Sequence, residues 1–533
     1  MPDTTPSQHI ARSAASAGAA TMTSRILGLA REQVLAALFG AGSAMDAYNV
    51  AFRIPNLLRD LFAEGAMSAA FVPTFTKHLT TEGRPSAWRL GNNVVNALAL
   101  VTGVLVLLGI VFAEPLVRLL ADQDFTDTPG QLALTVQLAR IMLPSLVCIA
   151  LAAALMGMLN SVQHFFVPAL SPAMFNVVTI VCAFALVPLM PGLGLEPITA
   201  IAIGTLLGGV AQLALQWPTL RAEGFQYRPA LDWRDPGLRR VLVLMGPGTI
   251  GLAATQVNVL VNTALATGQG TGAVSWLNYA FRLMYFPIGL FGVSIATAVL
   301  PAVSRQVAAR DDTGVRDTIS NGLSLMLMLN IPATVGLMAL ASPIIRVIFE
   351  RGRFTAADTA ATAAALQFYA VGLVGYSVVR IASPTFYALG RNRTPVTVSM
   401  ITVLVNAALN VALAHLIGFR GLALGTSIAA LFNATALLVL LHRHLGGLND
   451  ARLAGSLARI LLASAVMGAA VAGLDRVLVT AWPGNGLVPQ VARLTVDIGA
   501  ALGVLAAAAW LLRIREFHDG LALVTRRLRR ARA

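Results

Sequence analysis

Charge is scarce in this sequence. Only 12% of its 533 residues are Asp, Glu, Lys or Arg, against roughly 25% in soluble domains, which excludes an ordinary water-soluble globule. Cysteine is almost missing. Cys148 and Cys182 are the two in the chain, both lie in apolar stretches, and a small packing role is expected of them rather than a disulfide or a metal site. No HExxH, paired-cysteine or GxSxG pattern occurs, so the common metallopeptidase, zinc and serine-hydrolase chemistries lack their residues. The glycine cluster at 268–272, GQGTG, has no following lysine and no strand-to-helix context, and reads as a tight turn rather than a phosphate cradle. Neither catalysis nor a cofactor is expected.

What is abundant is apolar surface: 57% of residues are hydrophobic and the mean hydropathy is +0.74. Runs at 94–112, 172–189, 199–215, 323–340 and 398–416 each approach the ~20 residues that span hydrocarbon. Hydropathy with Gly and Pro punctuation gives an all-α polytopic membrane protein of 14 transmembrane helices, centred near 30, 62, 106, 147, 179, 208, 253, 289, 332, 373, 406, 433, 467 and 503. Residues 1–20 lack a basic region followed by an apolar core, so the first span is expected to remain as structure rather than act as a cleaved leader.

The net charge is +14, and its placement matters more than its size. With the N-terminus in the cytoplasm, 24 of the 38 Lys and Arg fall in inside segments, 7 in outside loops and 7 within spans. The positive-inside rule therefore puts both termini in the cytoplasm. The tail RRLRRARA (526–533) serves as an orientation signal, and nucleic acid is not an expected partner.

The chain also matches itself. NVAFRI (49–54) returns as NYAFRL (278–283), AEPLVRLL (113–120) as ASPIIRVI (341–348), Phe125-Thr126 as Phe354-Thr355, Pro168 as Pro395 and Gly204-Thr205 as Gly425-Thr426, at offsets drifting from 229 to 221. Copies separated by six spans enter the membrane in the same direction, which makes a parallel repeat. The expected organisation is two pseudo-symmetric six-helix lobes, 1–222 and 223–445, around a central cationic cavity, then two appended helices over 446–514 and a basic tail over 515–533.

Seven arginines fall inside spans: Arg25, Arg31, Arg53, Arg59, Arg140, Arg282 and Arg380. Facing lipid, each would cost about 2.5–3.5 kcal/mol, and seven would exceed the roughly 5–15 kcal/mol stability of a typical protein. They must turn to water, partners or ligand. On a helical wheel Asn49, Arg53, Asn56, Asp60 and Glu64 form one polar stripe. Four acids (Glu32, Asp46, Asp60, Glu64) do not balance seven arginines, and a surplus of guanidinium suits an anionic, phosphate-bearing ligand. Voltage sensing would need arginines repeated along one helix, whereas these are spread over five. A cation-coupled multidrug exporter would need an acid-lined aromatic pocket.

The segments TSRILGLARE (23–32), DAYNVAFRIPNLLRDLFAEGAMSAAFVPTF (46–75), SWLNYAFRLMYFPIGLFGVSIATAVLP (275–301) and FYALGRNRTPV (386–396) closely resemble the MurJ (MviN) family of the multidrug/oligosaccharidyl-lipid/polysaccharide (MOP) exporter superfamily. The resemblance runs over essentially the whole chain. It implies a multi-pass protein of the cell inner membrane that flips lipid II, the undecaprenyl-pyrophosphate-linked peptidoglycan precursor, for cell wall biogenesis and cell shape. Alternating access is implied, with the prenyl tail in a groove near the last two helices. The family's cavity arginines match Arg25, Arg31, Arg59 and Arg282; Asp46, Asn56, Glu64 and Ser275 fall on motif positions, and Arg53 stands where lysine is frequent. Where many members read Asp-Arg-Leu-Met-Glu, this chain reads Phe281-Arg282-Leu283-Met284-Tyr285, which raises the alternative of another polyprenyl-linked glycan as cargo. The sodium site of some members would correspond to Asn262, Asn406, Asn410 and Thr426, without a carboxylate. Coupling to sodium or to the membrane potential and an association with cell-wall synthesis enzymes are further implications.

Overall fold

The computed structural model describes residues 6–61, 65–484 and 486–519, and the backbone alone at 6–15, 17, 65–69, 246–255, 290 and 293. Among the described residues every regular element is helical and no strand occurs. In chain order the first eleven helices are α1 (Pro6–Phe39), α2 (Ser43–Arg59), α3 (Gly65–Thr81), α4 (Arg84–Val111), α5 (Ala113–Leu120), α6 (Gln123–Asp127), α7 (Gln131–Met142), α8 (Ser145–Ser161), α9 (Phe166–Leu186), α10 (Thr199–Ala222) and α11 (Pro236–Thr267). Nine follow: α12 (Ala273–Pro287), α13 (Val293–Ala308), α14 (Asp312–Ala339), α15 (Ala341–Phe349), α16 (Ala356–Ala388), α17 (Arg393–Ile417), α18 (Phe419–Leu445), α19 (Asp450–Ala481) and α20 (Leu487–Leu511).

Local chemistry sets several of these ends. The Asp235 carboxylate accepts from Leu238 N–H just ahead of α11, with Pro236 as first residue. Thr355 and Asp358 form a reciprocal capping box at the start of α16. Gly446 ends α18 with φ 67°, a left-handed turn that glycine enters without steric cost.

Ten helical segments among the described residues are long and apolar enough to cross a membrane: Arg84–Val111, Gln131–Ser161 (α7 and α8 together), Phe166–Leu189, Thr199–Ala222, Asp312–Ala339, Ala356–Ala388, Arg393–Ile417, Phe419–Leu445, Asp450–Ala481 and Leu487–Leu511. The other four expected positions fall on α1, on α2 and α3, on α11, and on α12 and α13. These helices carry much of the charge that a hydropathy average counts against a span: Arg25, Arg31 and Glu32 on α1, Arg53 and Arg59 on α2, Arg282 on α12.

The chain divides into two compact units, Met1–Ser275 and Trp276–Ala533. In the first, Phe71, Phe75, Leu90, Leu155, Met158, Leu220 and Phe225 build a core from α3, α4, α8 and α10, and α11 packs onto it through Leu238 and Val241. In the second, Ile319, Leu323, Val378, Ile381, Phe386, Leu437 and Leu441 join α14, α16 and α18, and α19 and α20 pack on α14 through Met328, Ile331, Ile460 and Ala509.

The order of elements recurs between the units. The 28-residue α4 leads into the short amphipathic α5, and 228 residues later the 28-residue α14 leads into α15. A π-helical turn follows α2 at 60–61 and another follows α12 at Ile288–Gly292, so even this irregularity returns at the repeat's spacing.

Candidate functional site

In the N-terminal unit the polar residues of α2 divide by depth. Asp46, in its first turn, is 2% exposed. Its carboxylate accepts from Gly272 N–H at 2.5 Å, Ser275 N–H at 2.9 Å and the Ser275 hydroxyl at 2.6 Å, while Asn49 Nδ2 donates to Ser275 Oγ at 3.1 Å. The first N–H groups of a helix have no partner within it, and here α2 supplies one from 226 residues away. A carboxylate is also the group that the positive end of α12 favours. Beside this cap lies a cavity of about 210 Å³ lined by Ser43, Asp46, Asp124, Thr128, Gln131 and Thr267 among others.

Further along α2, Arg53 and Asn56 are half-buried. Arg59 donates to the adjacent Asp60 at 3.1 Å, whose second oxygen accepts from Gln256 of α11 at 3.2 Å. Glu64, the last member of the expected stripe, lies outside the described residues. On α1, Arg25 is exposed. Arg31 is 7% exposed, ion-paired at 2.6 Å to Glu32, itself 5% exposed, and its guanidinium stands 5.3 Å from the Phe175 ring of α9. Both the pair and the ring are inside the unit.

In the C-terminal unit Arg282 is exposed on α12. Its neighbours Phe281 and Tyr285 turn toward α16: Phe281 packs at a tilt against Tyr285 and edge-on against Tyr369 and Tyr376, at centroid distances of 5.5, 5.4 and 6.4 Å. Arg380 of α16 donates to Tyr285 Oη at 3.0 Å, with its guanidinium 5.9 Å from the same ring. Sequence reasoning singled out no role for Arg380, although a lone arginine in an apolar helix was the signal for one.

Three of the four residues matched to a sodium site meet in this unit. Asn410 Nδ2 donates to Asn406 Oδ1 at 3.1 Å and Asn406 Nδ2 donates to Thr426 Oγ1 at 3.5 Å; Asn262 is on α11 of the other unit. The donor set is neutral and spends two of its oxygens on amide hydrogen bonds, which suits a hard cation poorly. Among the described residues no group of three His, Cys, Asp or Glu converges as a metal site.

The last helix, α20, holds buried charge. Arg493 is buried in α20 and donates to Gly484 O at 2.8 Å, and Asp497, one turn on, is 0% exposed. The i, i+4 spacing of these two was visible in the sequence. In the loops, Glu223 receives His164 at 2.8 Å and Arg84 at 3.2 Å, and the hydrogen bond from His164 is the main reason its carboxyl titrates below the usual range.

Comparison with known proteins gives consistent results. The sequence model of the family described as "Lipid II flippase MurJ" matches residues 35–492. The chain is 34% identical to the probable lipid II flippase MurJ of Vibrio cholerae serotype O1 over 526 residues, 97% of this chain and 98% of that one. It is 36% identical to the lipid II flippase MurJ of Burkholderia cenocepacia over 428 residues, 79% of this chain and 82% of that one. Among solved structures it is similar to a lipid II flippase MurJ in an inward closed conformation, with TM-score 0.74 and 28% identity over 93% of this chain and 99% of that one. It also shares the fold of an inward-facing MATE multidrug resistance transporter of the MOP superfamily, with TM-score 0.68 and 15% identity over 82% of this chain and 99% of that one.

Proposed function

This chain belongs to the lipid II flippase MurJ family, and on that premise we propose that it carries lipid II from the cytoplasmic to the outer leaflet of the inner membrane by alternating access. The family transports rather than catalyses, and its cargo makes the protein part of peptidoglycan synthesis. The observation that carries the reading to particular residues is the exposure of Arg25 and Arg282 on helices of an otherwise apolar chain. A guanidinium left against lipid is costly, so these side chains face water, where they meet the pyrophosphate with paired hydrogen bonds.

The architecture that goes with this function has fourteen spans, two six-helix lobes over 1–222 and 223–445, the pair over 446–514, and both termini with the basic tail in the cytoplasm. The ten apolar spans, the recurring helix order and the excess of inside Lys and Arg support it. Arg25, Arg53, Arg59 and Arg282 hold the pyrophosphate. Arg31, tied to Glu32, is a positioning residue, with Asn56 and Glu64 completing the polar wall. Asp46 and Ser275 fix the start of α12 against α2. The neutral Asn406, Asn410 and Thr426 cluster makes membrane potential the better-supported driving force. A potential of 100 mV acts with about 2.3 kcal/mol on each charge that crosses it, and an interior rich in arginine is drawn back toward the negative side once cargo leaves.

The multidrug-exporter alternative has only shared fold in its favour, at 15% identity. The test is flipping of labelled lipid II in vesicles containing the purified protein. Arg282→Ala abolishes transfer while insertion and thermal midpoint stay at the wild-type level; transfer at the wild-type rate refutes the assignment.

A further inference from the structure

The contact between Tyr285 and Arg380 carries an inference that rests on the flippase reading and deepens it. Two contacts constrain Arg380, and others brace the residue that makes them. Its Nη2 donates to the Tyr285 hydroxyl and its Cζ lies over the Tyr285 ring, 5.9 Å from the centroid; Tyr285 is flanked by Phe281 and by Tyr376 at 6.3 Å, and Phe281 packs in turn on Tyr369. Among the described residues no carboxylate stands within ion-pair distance of Arg380.

A phenol and a carboxylate in the place of Tyr285 would both orient the guanidinium, but they differ in what remains. A carboxylate cancels the charge and occupies two donors, whereas a phenol accepts one hydrogen bond and cancels nothing. Four of the five guanidinium N–H donors stay available, and the aromatic bracket removes rotamer freedom that binding would otherwise have to freeze. The ring face adds attraction for the cation without neutralising it.

The geometry points to Arg380, positioned by Tyr285, as a cargo-binding residue in the C-terminal unit that takes an anionic oxygen, phosphate or carboxylate, of the lipid-linked headgroup. With a phenol at Tyr285 and not an acid, the positive charge of Arg380 is presented to cargo undiminished. Tyr285 acts through Arg380 and touches no substrate itself.

The experiment uses the full chain in nanodiscs with two probes, undecaprenyl pyrophosphate and complete lipid II, and reads binding together with thermal midpoint. Arg380→Gln weakens binding about tenfold, the scale of one charge-assisted hydrogen bond. Tyr285→Glu, which puts a neutralising acid beside Arg380, weakens it similarly, while Tyr285→Phe, which keeps the ring, changes it by less than about threefold. Equal loss for both probes identifies a phosphate oxygen; loss confined to lipid II identifies a headgroup carboxylate. Should Arg380→Gln not fold, the contrast between Tyr285→Glu and Tyr285→Phe carries the same information. Wild-type binding by folded Arg380→Gln or Tyr285→Glu overturns the inference. A wild-type protein that binds neither probe overturns the flippase reading beneath it.

Discussion

Replacing Asp46 by Asn probes how firmly the start of α12 is held. The carboxylate accepts three hydrogen bonds, two from backbone N–H groups of Gly272 and Ser275 and one from the Ser275 hydroxyl. Hydrogen bonds to a charged partner contribute about 1.5–3 kcal/mol each. Asparagine keeps the size and one acceptor oxygen, but its amide turns a donor toward groups that are themselves donors. At least one buried backbone N–H is then unsatisfied, at about 1–3 kcal/mol, and the remaining bonds lose their charge assistance. A net loss near 3 kcal/mol raises the local opening constant about a hundredfold, at 1.4 kcal/mol per factor of ten. Hydrogen exchange by mass spectrometry on the peptide covering 270–277 measures this directly, because local opening and not global unfolding governs those amides. Ser275→Ala, which deletes only the hydroxyl relay to Asn49, is expected to give a smaller acceleration, about tenfold. Unchanged exchange at Gly272 and Ser275 in Asp46→Asn would refute the idea that this carboxylate caps α12.

Three further outcomes follow from the same reasoning. Glu32→Gln removes the charged partner 2.6 Å from buried Arg31 and should cost about 1.5–3 kcal/mol, the range of one hydrogen bond to a charged group, seen as a lower thermal midpoint that the double change Arg31→Gln with Glu32→Gln largely restores; an unchanged midpoint in the single variant contradicts this. Gly375→Ala places a Cβ 2.6 Å from the carbonyl carbon and oxygen of Ala430 and should destabilise by about 1–3 kcal/mol or more, whereas Gly455→Ala on α19, with nothing within 4 Å, should be neutral or gain up to about 1 kcal/mol from helix propensity; equal midpoints for the two disprove the close approach. Glu223, whose pKa is depressed chiefly by the His164 hydrogen bond, contributes stability that is complete above its ordinary value of 4.5 and disappears as pH falls through the lower folded-state value. The midpoint difference between wild type and Glu223→Gln should therefore hold steady just above pH 4.5 and shrink below it, and a difference that persists to the lowest pH tested removes the pairing from the account.

The parts of this molecule that were legible in its sequence are those governed by local averages. The apolar runs gave the most apolar spans, because a 20-residue window reports burial in lipid without knowledge of partners. The repeat announced α5 and α15 through AEPLVRLL and ASPIIRVI. Partnerships across the chain were not legible. Residues one apart do not face each other on a helix, so the Arg31–Glu32 pair could not be read from adjacency, and the ring of Phe175 comes from a helix more than 140 positions away. Asp46 looked like a cavity acid because hydropathy registers a charge without its direction; its partners are backbone N–H groups, which no side-chain pattern records. Tyr285 looked like a lost carboxylate, and its hydroxyl had a guanidinium waiting on α16. Arg493 lies in α20 ahead of the most apolar part of that helix, so its burial was not legible from hydropathy.

The glycines of α16 and α18 have a mechanical consequence. Gly372 and Gly375 let the backbone of α18 come against α16 at Ser427 and Ala430, and Gly421 and Gly425 do the same for α17 at Leu413 and Asn410. At Gly372, Gly375 and Gly421 the three long helices are thereby clasped main chain to main chain, and close backbone contact leaves little slack for one to shear past the next. With α16 running 33 residues, about 50 Å at 1.5 Å per residue, a tilt imposed at one membrane face arrives undiminished at the other, and any flexing has to be taken up outside it, where the π-turn between α12 and α13 offers a looser joint.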